Sequence, residues 1–393
     1  MTASFGAVAG IAALSLAIWV YLYFFHGRFW RCDQRLGLDA PAPAEWPAVI
    51  AVVPARNEAD VIERSMRSHL DQDYPGPFRI VLVDDSSEDG TGDVARALAK
   101  AHPKGDRLDV VSGTPLPPGW VGKMWAVHNG VRRADQVDAQ APYLWLTDAD
   151  IAHDPGQLRA LVAKADSEGL ELVSLMVMLH CRRPWERLLI PAFVYFFQKL
   201  YPFPRINDPQ DKMAGAAGGC MLVRRAALAQ SGGIEAIKGA VIDDCALGRN
   251  LKAVGPVWLG LTKESHSIRP YEGLKDIWRM VARSAYDQLG YSPLALGGTV
   301  VGMILVYLVP PTLALTTPWH GSIAGGAMAG LAWLLMALSY RPTLALYDRP
   351  APAAVLPLAG FLYNLMTLDS ALAYYRGKGA FWKGRAQAPV KRG

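Results

Sequence analysis

Acidic side chains recur where short apolar runs of this 393-residue chain end. Residues 48–53 lead into Pro54-Ala55-Arg56-Asn57-Glu58, residues 79–83 into Asp84-Asp85-Ser86-Ser87-Glu88-Asp89-Gly90-Thr91, and residues 143–147 into Asp148-Ala149-Asp150. A single carboxylate in such a place caps a helix or makes a turn, and Asp89-Gly90-Thr91 reads as that. Three successive acidic ends read differently. Converging carboxylates repel one another, so a site that collects them holds a cation or hydrogen-bonds sugar hydroxyls. Asp243-Asp244 adds another acidic pair, which reads equally as a helix start favoured by the helix dipole. Neither GxxxxGK(S/T) nor GxGxxG occurs, so a P-loop or Rossmann phosphate turn is not indicated. Cys32, Cys181, Cys220 and Cys245 form no CxxC pair and have no His at metal spacing; they read as buried thiols in a reducing compartment.

The elements that must position these acids lie between residues 47 and 261. There β-rich runs at 48–53, 79–83, 108–111, 143–147 and 171–176 alternate with helical stretches such as 59–72 and 91–101. Alternation of this kind predicts an α/β domain with a mainly parallel sheet, whose ligands bind beyond the C-terminal strand ends. That is where the acids fall.

Charge is missing elsewhere. The chain is 19% Asp, Glu, Lys and Arg, below the roughly 25% of an average soluble domain, yet 51% hydrophobic, which excludes a disordered protein. Residues 1–25 and 288–340 contain none of the four charged types. The apolar run 5–25 is long enough to cross a hydrocarbon core of about 30 Å. It has no basic residue before it and is followed by His26-Gly27-Arg28-Phe29-Trp30-Arg31, so an uncleaved anchor is favoured over a signal peptide. Arg28, Arg31 and Arg35 then place its C-terminal side in the cytoplasm. Two more spans fit at 294–315 and 322–339. The shorter piece 353–368, with Pro357 and Asn364, reads as a re-entrant or interfacial segment in slight preference to a fourth span. Segments 185–204 and 276–289 read either as interfacial helices or as core helices, the first interrupted too often for a span by Pro191, Lys199 and Pro202. The last residues are basic without acids, which suits an anionic membrane surface better than nucleic acid.

The expected organisation is an anchor at 1–30 and a catalytic domain at 45–270 with an interfacial insertion at 185–204. An interfacial helix at 271–291, a transmembrane hairpin with a re-entrant or spanning segment at 292–373, and a basic tail at 374–393 complete it.

Over about 45–285 the motifs occur in the order of the inverting nucleotide-sugar glycosyltransferases of family two, which have the GT-A fold. VVPARNE at 52–58 resembles the opening strand and loop, and VDDSSEDGT at 83–91 the nucleoside-contacting motif. Gly122-Lys123-Met124-Trp125-Ala126-Val127-His128-Asn129-Gly130 is similar to GKxxALNxG. TDAD at 147–150 resembles the DxD metal motif, GGCMLVRR at 218–225 the acceptor-side glycine loop with Gly218 and Gly219, and IDDCALGRNL at 242–251 the ED-type catalytic motif.

The resemblance implies roles. Asp244 is the base that deprotonates the acceptor hydroxyl, with Asp243 beside it on the acceptor side. Asp150 ligates Mg²⁺ or Mn²⁺, with Asp148 sharing the metal or the ribose and His266 as a third ligand. Glu58 and Asp85 contact the nucleoside, and Lys123 the diphosphate. The QxxRW signature of processive synthases is absent; only Arg283 survives, as a grip for the diphosphate, which implies a single transfer. The donor expected is a nucleotide sugar, a UDP-sugar first. Tyr201-Pro202-Phe203-Pro204-Arg205-Ile206-Asn207-Asp208, LGYSP at 289–293, TLDSA at 367–371 and WKGR at 382–385 resemble hopene-associated glycosyltransferases. That implies a hopanoid acceptor, a bacterial inner membrane and a cytoplasmic catalytic domain. A polyprenyl phosphate, sphingolipid or carotenoid acceptor, and a non-catalytic scaffold that binds nucleotide sugar, are the alternatives.

Overall fold

The computed structural model describes residues 2–37, 41–348, 352–377, 381–382 and 385–386. The chain forms two units. One comprises residues 34–180, 205–270 and 379–393; the other comprises 1–33, 181–204 and 271–378.

The first unit is built on an eight-stranded sheet: β1 (Val49–Ala55), β2 (Phe78–Asp84), β3 (Leu108–Ser112), β4 (Tyr143–Thr147), β5 (Ile151–His153), β6 (Leu172–Met178), β7 (Cys220–Arg224) and β8 (Val257–Ser267), in the order β3-β2-β1-β4-β7-β6-β8-β5. β1 and β4 are buried along their whole length, as strands covered on both faces are. The helix Gly122–Asp138 lies directly on β1 and β2: a Cβ at Gly130 would collide with the side chain of Val52 and meet that of Val83 at 3.1 Å. The apolar core continues through Ile62, Met66, Leu70, Trp145, Leu161 and Leu175.

The mainly parallel sheet of the sequence reading holds for β3-β2-β1-β4. Beyond β4 the sheet is mixed: β7 runs antiparallel to β4 and β6, and β5 antiparallel to β8, while β6 and β8 are parallel. β5, β7 and β8 were not among the runs the alternation predicts. Their residues are almost all buried, so they carry no two-residue polar rhythm. The reversal of β7 has a consequence for chemistry. Cys220, its first residue, pairs with Thr147, the last of β4, so Gly218 and Gly219 arrive at the edge where β1, β2 and β4 end.

The second unit is helical. Four helices are long and apolar enough to cross a membrane: Gly6–Phe24, Pro293–Leu315, Ile323–Leu346 and Ala353–Tyr375. The second contains a π turn at Ile304–Leu308, and the third runs past Arg341 and Pro342, beyond the expected end at 339. In the last, Pro357 sits in the first turn of Leu356–Tyr375, where its missing N–H costs no helical bond. Trp333 Nε1 donates to Ala354 O (3.2 Å), and a Cβ at Gly360 would touch the Tyr307 ring at 3.0 Å, so this helix begins against the middles of the two before it. It ends with Tyr374 stacked on Tyr291 and Tyr375 bonded to Tyr286, beside the start of Pro293–Met303.

Within segment 185–204, Pro184–Leu200 is one helix that runs through Pro191, opened by a fully buried Glu186 whose carboxylate accepts from the N–H groups of Arg182, Arg183 and Tyr271 at 2.8 Å each. The amphipathic stretch 276–289 is helical over Leu274–Ala282, with Ile277 and Val281 buried and Arg283 as its C-cap. Trp278 Nε1 donates to Asp369 Oδ2 (2.8 Å). Most of the basic tail lies outside the described residues.

Candidate active site

Two loops at the ends of β1 and β2 are stitched together by the chain's own polar groups. Arg56 Nη1 donates to the carbonyls of Asp85 (2.5 Å) and Ser86 (2.8 Å), Asn57 N to Ser87 Oγ (3.0 Å), and Glu58 N to Thr91 Oγ1 (2.8 Å). Asp85 and Glu58 are both buried. Arg56 is thus a brace for the backbone of the Asp85 loop, and Thr91 both starts the helix Thr91–Ala101 and ties it to Glu58.

The second group of residues sits where β4, the glycine loop and two helix starts meet. Lys123, in the first turn of Gly122–Asp138, places Nζ 2.9 Å from Asp148 Oδ1 and 3.2 Å from Asp243 Oδ2; its side chain is 18% exposed. Burial opposes its charge, but Asp148 and Asp243 outweigh burial and hold the ammonium protonated well beyond the ordinary lysine range. Asp243 and Asp244 open the helix Asp243–Lys252. Asp244 Oδ2 accepts from Gly218 N (2.9 Å) and Oδ1 from Cys245 N (2.7 Å). Burial, followed by repulsion from Asp243, pushes its carboxyl up to about 6, while Lys123 and the two N–H groups restrain the rise. A cleft of about 330 Å³, open to solvent, has Lys123, Asp148, Gly218 and Asp243 on its polar wall and Met124, Leu146, Met221 and Ile237 among its apolar residues.

A third group surrounds Arg269, which follows β8. It pairs with Glu58, with Asp60 (2.9 Å), and at 3.7 Å with Asp150, whose carbonyl also accepts from Ile268 N (2.9 Å). Arg269 remains firmly charged: burial opposes it, and Glu58 and Asp60 prevail. His266 lies on β8 across from Ala152, two residues from Asp150.

The structure therefore gathers Lys123, Asp148, Asp243 and Gly218 around one cleft, with Asp244 tied to it through Gly218 N, and Glu58 and Asp150 around Arg269. Arg283 belongs to the helical unit. Sequence reasoning missed Arg269 and Asp60. The available signal was an arginine just past a strand end, invisible while β8 went unrecognised. Among the described residues no three His, Cys, Asp or Glu side chains converge to hold a metal ion. Asp148 and Asp150 are nevertheless hard oxygen donors two residues apart, the type that binds Mg²⁺ or Mn²⁺ together with phosphate oxygens and water. The donor set fits a cation whose remaining ligands come from a diphosphate.

Residues 50–232 match the family described as Glycosyl transferase family 2. The chain is 30% identical over 135 residues to the succinoglycan biosynthesis protein ExoO of Rhizobium meliloti (strain 1021), which is 34% of each protein. It is 32% identical over 66 residues to the glycosyltransferase AglE of Haloferax volcanii, covering 16% of this chain and 21% of AglE. The matches thus span about a third and about a fifth of those curated relatives. The mannosyltransferase PcManGT of Pyrobaculum calidifontis, solved in complex with GDP-Man and Mn²⁺, aligns with a TM-score of 0.55 and 19% identity over 94% of this chain and 99% of its own. At that identity the likeness is one of fold. The fold is GT-A, and residues 50–232 carry the match to Glycosyl transferase family 2.

Proposed function

We propose that the protein is a membrane-bound, inverting glycosyltransferase that moves one sugar from a nucleotide sugar to a lipid hydroxyl, a hopanoid first. The observation that carries the transfer chemistry is Asp244. It is a carboxyl raised to about 6, held by two backbone N–H groups and next in sequence to Asp243, which Lys123 links to the donor-side Asp148. A carboxylate poised near neutral pH takes a proton from an acceptor hydroxyl efficiently. Inversion follows if that hydroxyl attacks the anomeric carbon from the face opposite the leaving diphosphate.

The chain's own residues divide the remaining work. Glu58 and Asp85, on the braced loops, accept hydrogen bonds from the nucleoside. Lys123 holds negative charge on the diphosphate. Gly218, whose added Cβ would stand 3.4 Å from Asp244, keeps the acceptor side open. Mg²⁺ or Mn²⁺ bound by Asp148 and Asp150 would supply positive charge to the departing nucleoside diphosphate. PcManGT with GDP-Man and Mn²⁺ supports a metal and leaves the base of the nucleotide open between uridine and guanosine.

The lipid acceptor rests on the four apolar helices and on the hopene-associated motifs. We read the first three helices as spans. The last, which starts against their middles and ends beside the start of Pro293–Met303, is then re-entrant and returns the tail to the cytoplasm.

Membranes holding the protein, incubated with labelled UDP- and GDP-sugars and lipid extracts with or without hopanoids, should yield a labelled lipid only when hopanoids are present. Label without hopanoids moves the acceptor to another lipid class, and no label under any combination favours the scaffold. Asp150→Ala should lower the Mn²⁺-dependent affinity for UDP or GDP at least tenfold; equal affinity by calorimetry removes Asp150 from the metal.

A further inference from the structure

Behind the acidic edge a line of buried polar groups joins β8 to the glycine loop. Thr147, the residue before Asp148, places Oγ1 2.8 Å from Gly219 O and 3.0 Å from His153 Nε2. His153 Nδ1 lies 2.7 Å from Ser265 Oγ, and Ser265 lies 3.1 Å from the side-chain amide of Gln157. Thr147, His153, Ser265 and Gln157 are each at most 3% exposed. The rings of His69 and Trp145 close on His153 at 4.9 and 4.5 Å.

Donor counting gives this line a direction. Gln157 Oε1 faces two hydroxyls, Ser265 and Thr262 (3.2 Å), while its Nε2 is buried with no partner. Turning the amide by 180° makes its NH₂ donate to both hydroxyls. Thr262 then donates to Glu264 (2.7 Å) and Ser265 to His153 Nδ1. His153 Nε2–H donates to Thr147, and the Thr147 hydroxyl is left to donate to Gly219 O. Ser265 also hydrogen-bonds the Cys220 thiol, so the tautomer is fixed at the other end: the Gly219 carbonyl can only accept, and both contacts of the Thr147 hydroxyl are hydrogen bonds only if His153 carries its proton on Nε2. Burial, with His69 and His266 adding to it, also favours the neutral ring.

The line ends next to the base. Gly218, one residue before the carbonyl that Thr147 holds, donates its N–H to Asp244 Oδ2. Ser174 holds the Ala217 end of the same loop, donating to Ala217 O (3.1 Å) and accepting from Ala217 N (2.8 Å), and Thr147 holds the Gly219 end.

We propose that His153 is a positioning residue for glycosyl transfer. Its Nε2–H tautomer orients the Thr147 hydroxyl, which holds the Gly219 carbonyl and thereby aims the Gly218 N–H at Asp244. The proposal rests on Asp244 as the base. Of the line only Thr147 reaches the wall of the cleft; His153, Ser265 and Gln157 do not, and they act on the geometry of residues that do.

The test uses the full chain in lipid nanodiscs and needs no sugar donor. Protonated carboxyls react with a water-soluble carbodiimide, so labelling of Asp244 against pH, read by peptide mapping, gives its midpoint. Thr147→Val keeps the shape and deletes the hydroxyl; Thr147→Ser keeps the hydroxyl. The expected midpoint is near 6 for the wild type and Thr147→Ser, and at least half a pH unit higher in Thr147→Val. Asp243, Lys123 and Cys245 N, the other groups acting on Asp244, are the same in all three. Mere loss of packing lowers the melting temperature without moving the midpoint, and an unmoved midpoint in folded Thr147→Val overturns the relay. Should that variant not fold, ¹⁵N spectra of the wild type at pH 7 decide: a neutral Nε2–H ring for His153 is required, and an Nδ1–H ring overturns the proposal. Either result leaves Asp244 as the base untouched, whereas turnover in Asp244→Asn removes the base and leaves the labelling result standing.

Discussion

Asp244→Asn should lower transfer by about 10³-fold, within the range a positioned general base contributes, while UDP or GDP binds within a few fold of the wild type. The amide keeps the shape of the carboxylate and cannot take a proton. Wild-type activity should rise with pH through about 6, as Asp244 ionises. Its effect on stability has the opposite sign. A carboxyl whose folded pKa is raised stabilises the protein below its unfolded value and loses that stabilisation as pH climbs through the folded one. Between about pH 4 and 6 the wild type should therefore lose stability relative to Asp244→Asn, which has no proton to release. Thermal unfolding of both proteins at intervals across that range reads the slope. A constant difference would show that Asp244 ionises normally, and near wild-type turnover in the variant would exclude it as the base.

Lys123→Met carries the second large effect. The ammonium faces Asp148 and Asp243 within 3.2 Å and also restrains the pKa of Asp244. Removing one partner of a mostly buried ion pair leaves the other charged in a poor solvent, at a cost of about 3–5 kcal/mol. The loss should be larger at pH 8, where Asp244 is ionised, than at pH 5, where it takes up a proton. The acidic limb of the activity profile should move to higher pH in the same variant, because Lys123 favours the ionised Asp244. UDP or GDP affinity should fall at least tenfold by calorimetry. Unchanged affinity with an unchanged limb would reduce Lys123 to a surface cation, which its 18% exposure contradicts.

Much of this site could be read from local patterns. Strand β4 occupies the predicted residues 143–147, and β1, β2, β3 and β6 fall within two residues of their predicted ends, because each couples a buried run to a polar stop. The acids at those stops are legible for the same reason: a parallel strand that ends in Asp-Ala-Asp or Asp-Asp delivers them to one edge. Pro184–Leu200 was legible as a helix, but not the buried Glu186 that ties its start to the N–H of Tyr271, 85 residues away.

Composition and periodicity by themselves determined that an α/β domain and several apolar helices share this chain, and motif order pointed to a glycosyltransferase family and to which carboxylates were worth watching. Only the tertiary structure decided how they are wired. The antiparallel return of β7 brings Gly218 to Asp244, β8 carries Arg269 to Glu58 and Asp150, and Lys123 joins acids that are 25 and 120 residues away in sequence. The physical reason is range. Hydrophobic spacing records which face of an element is buried, whereas hydrogen bonds and ion pairs depend on which distant element is packed against that face.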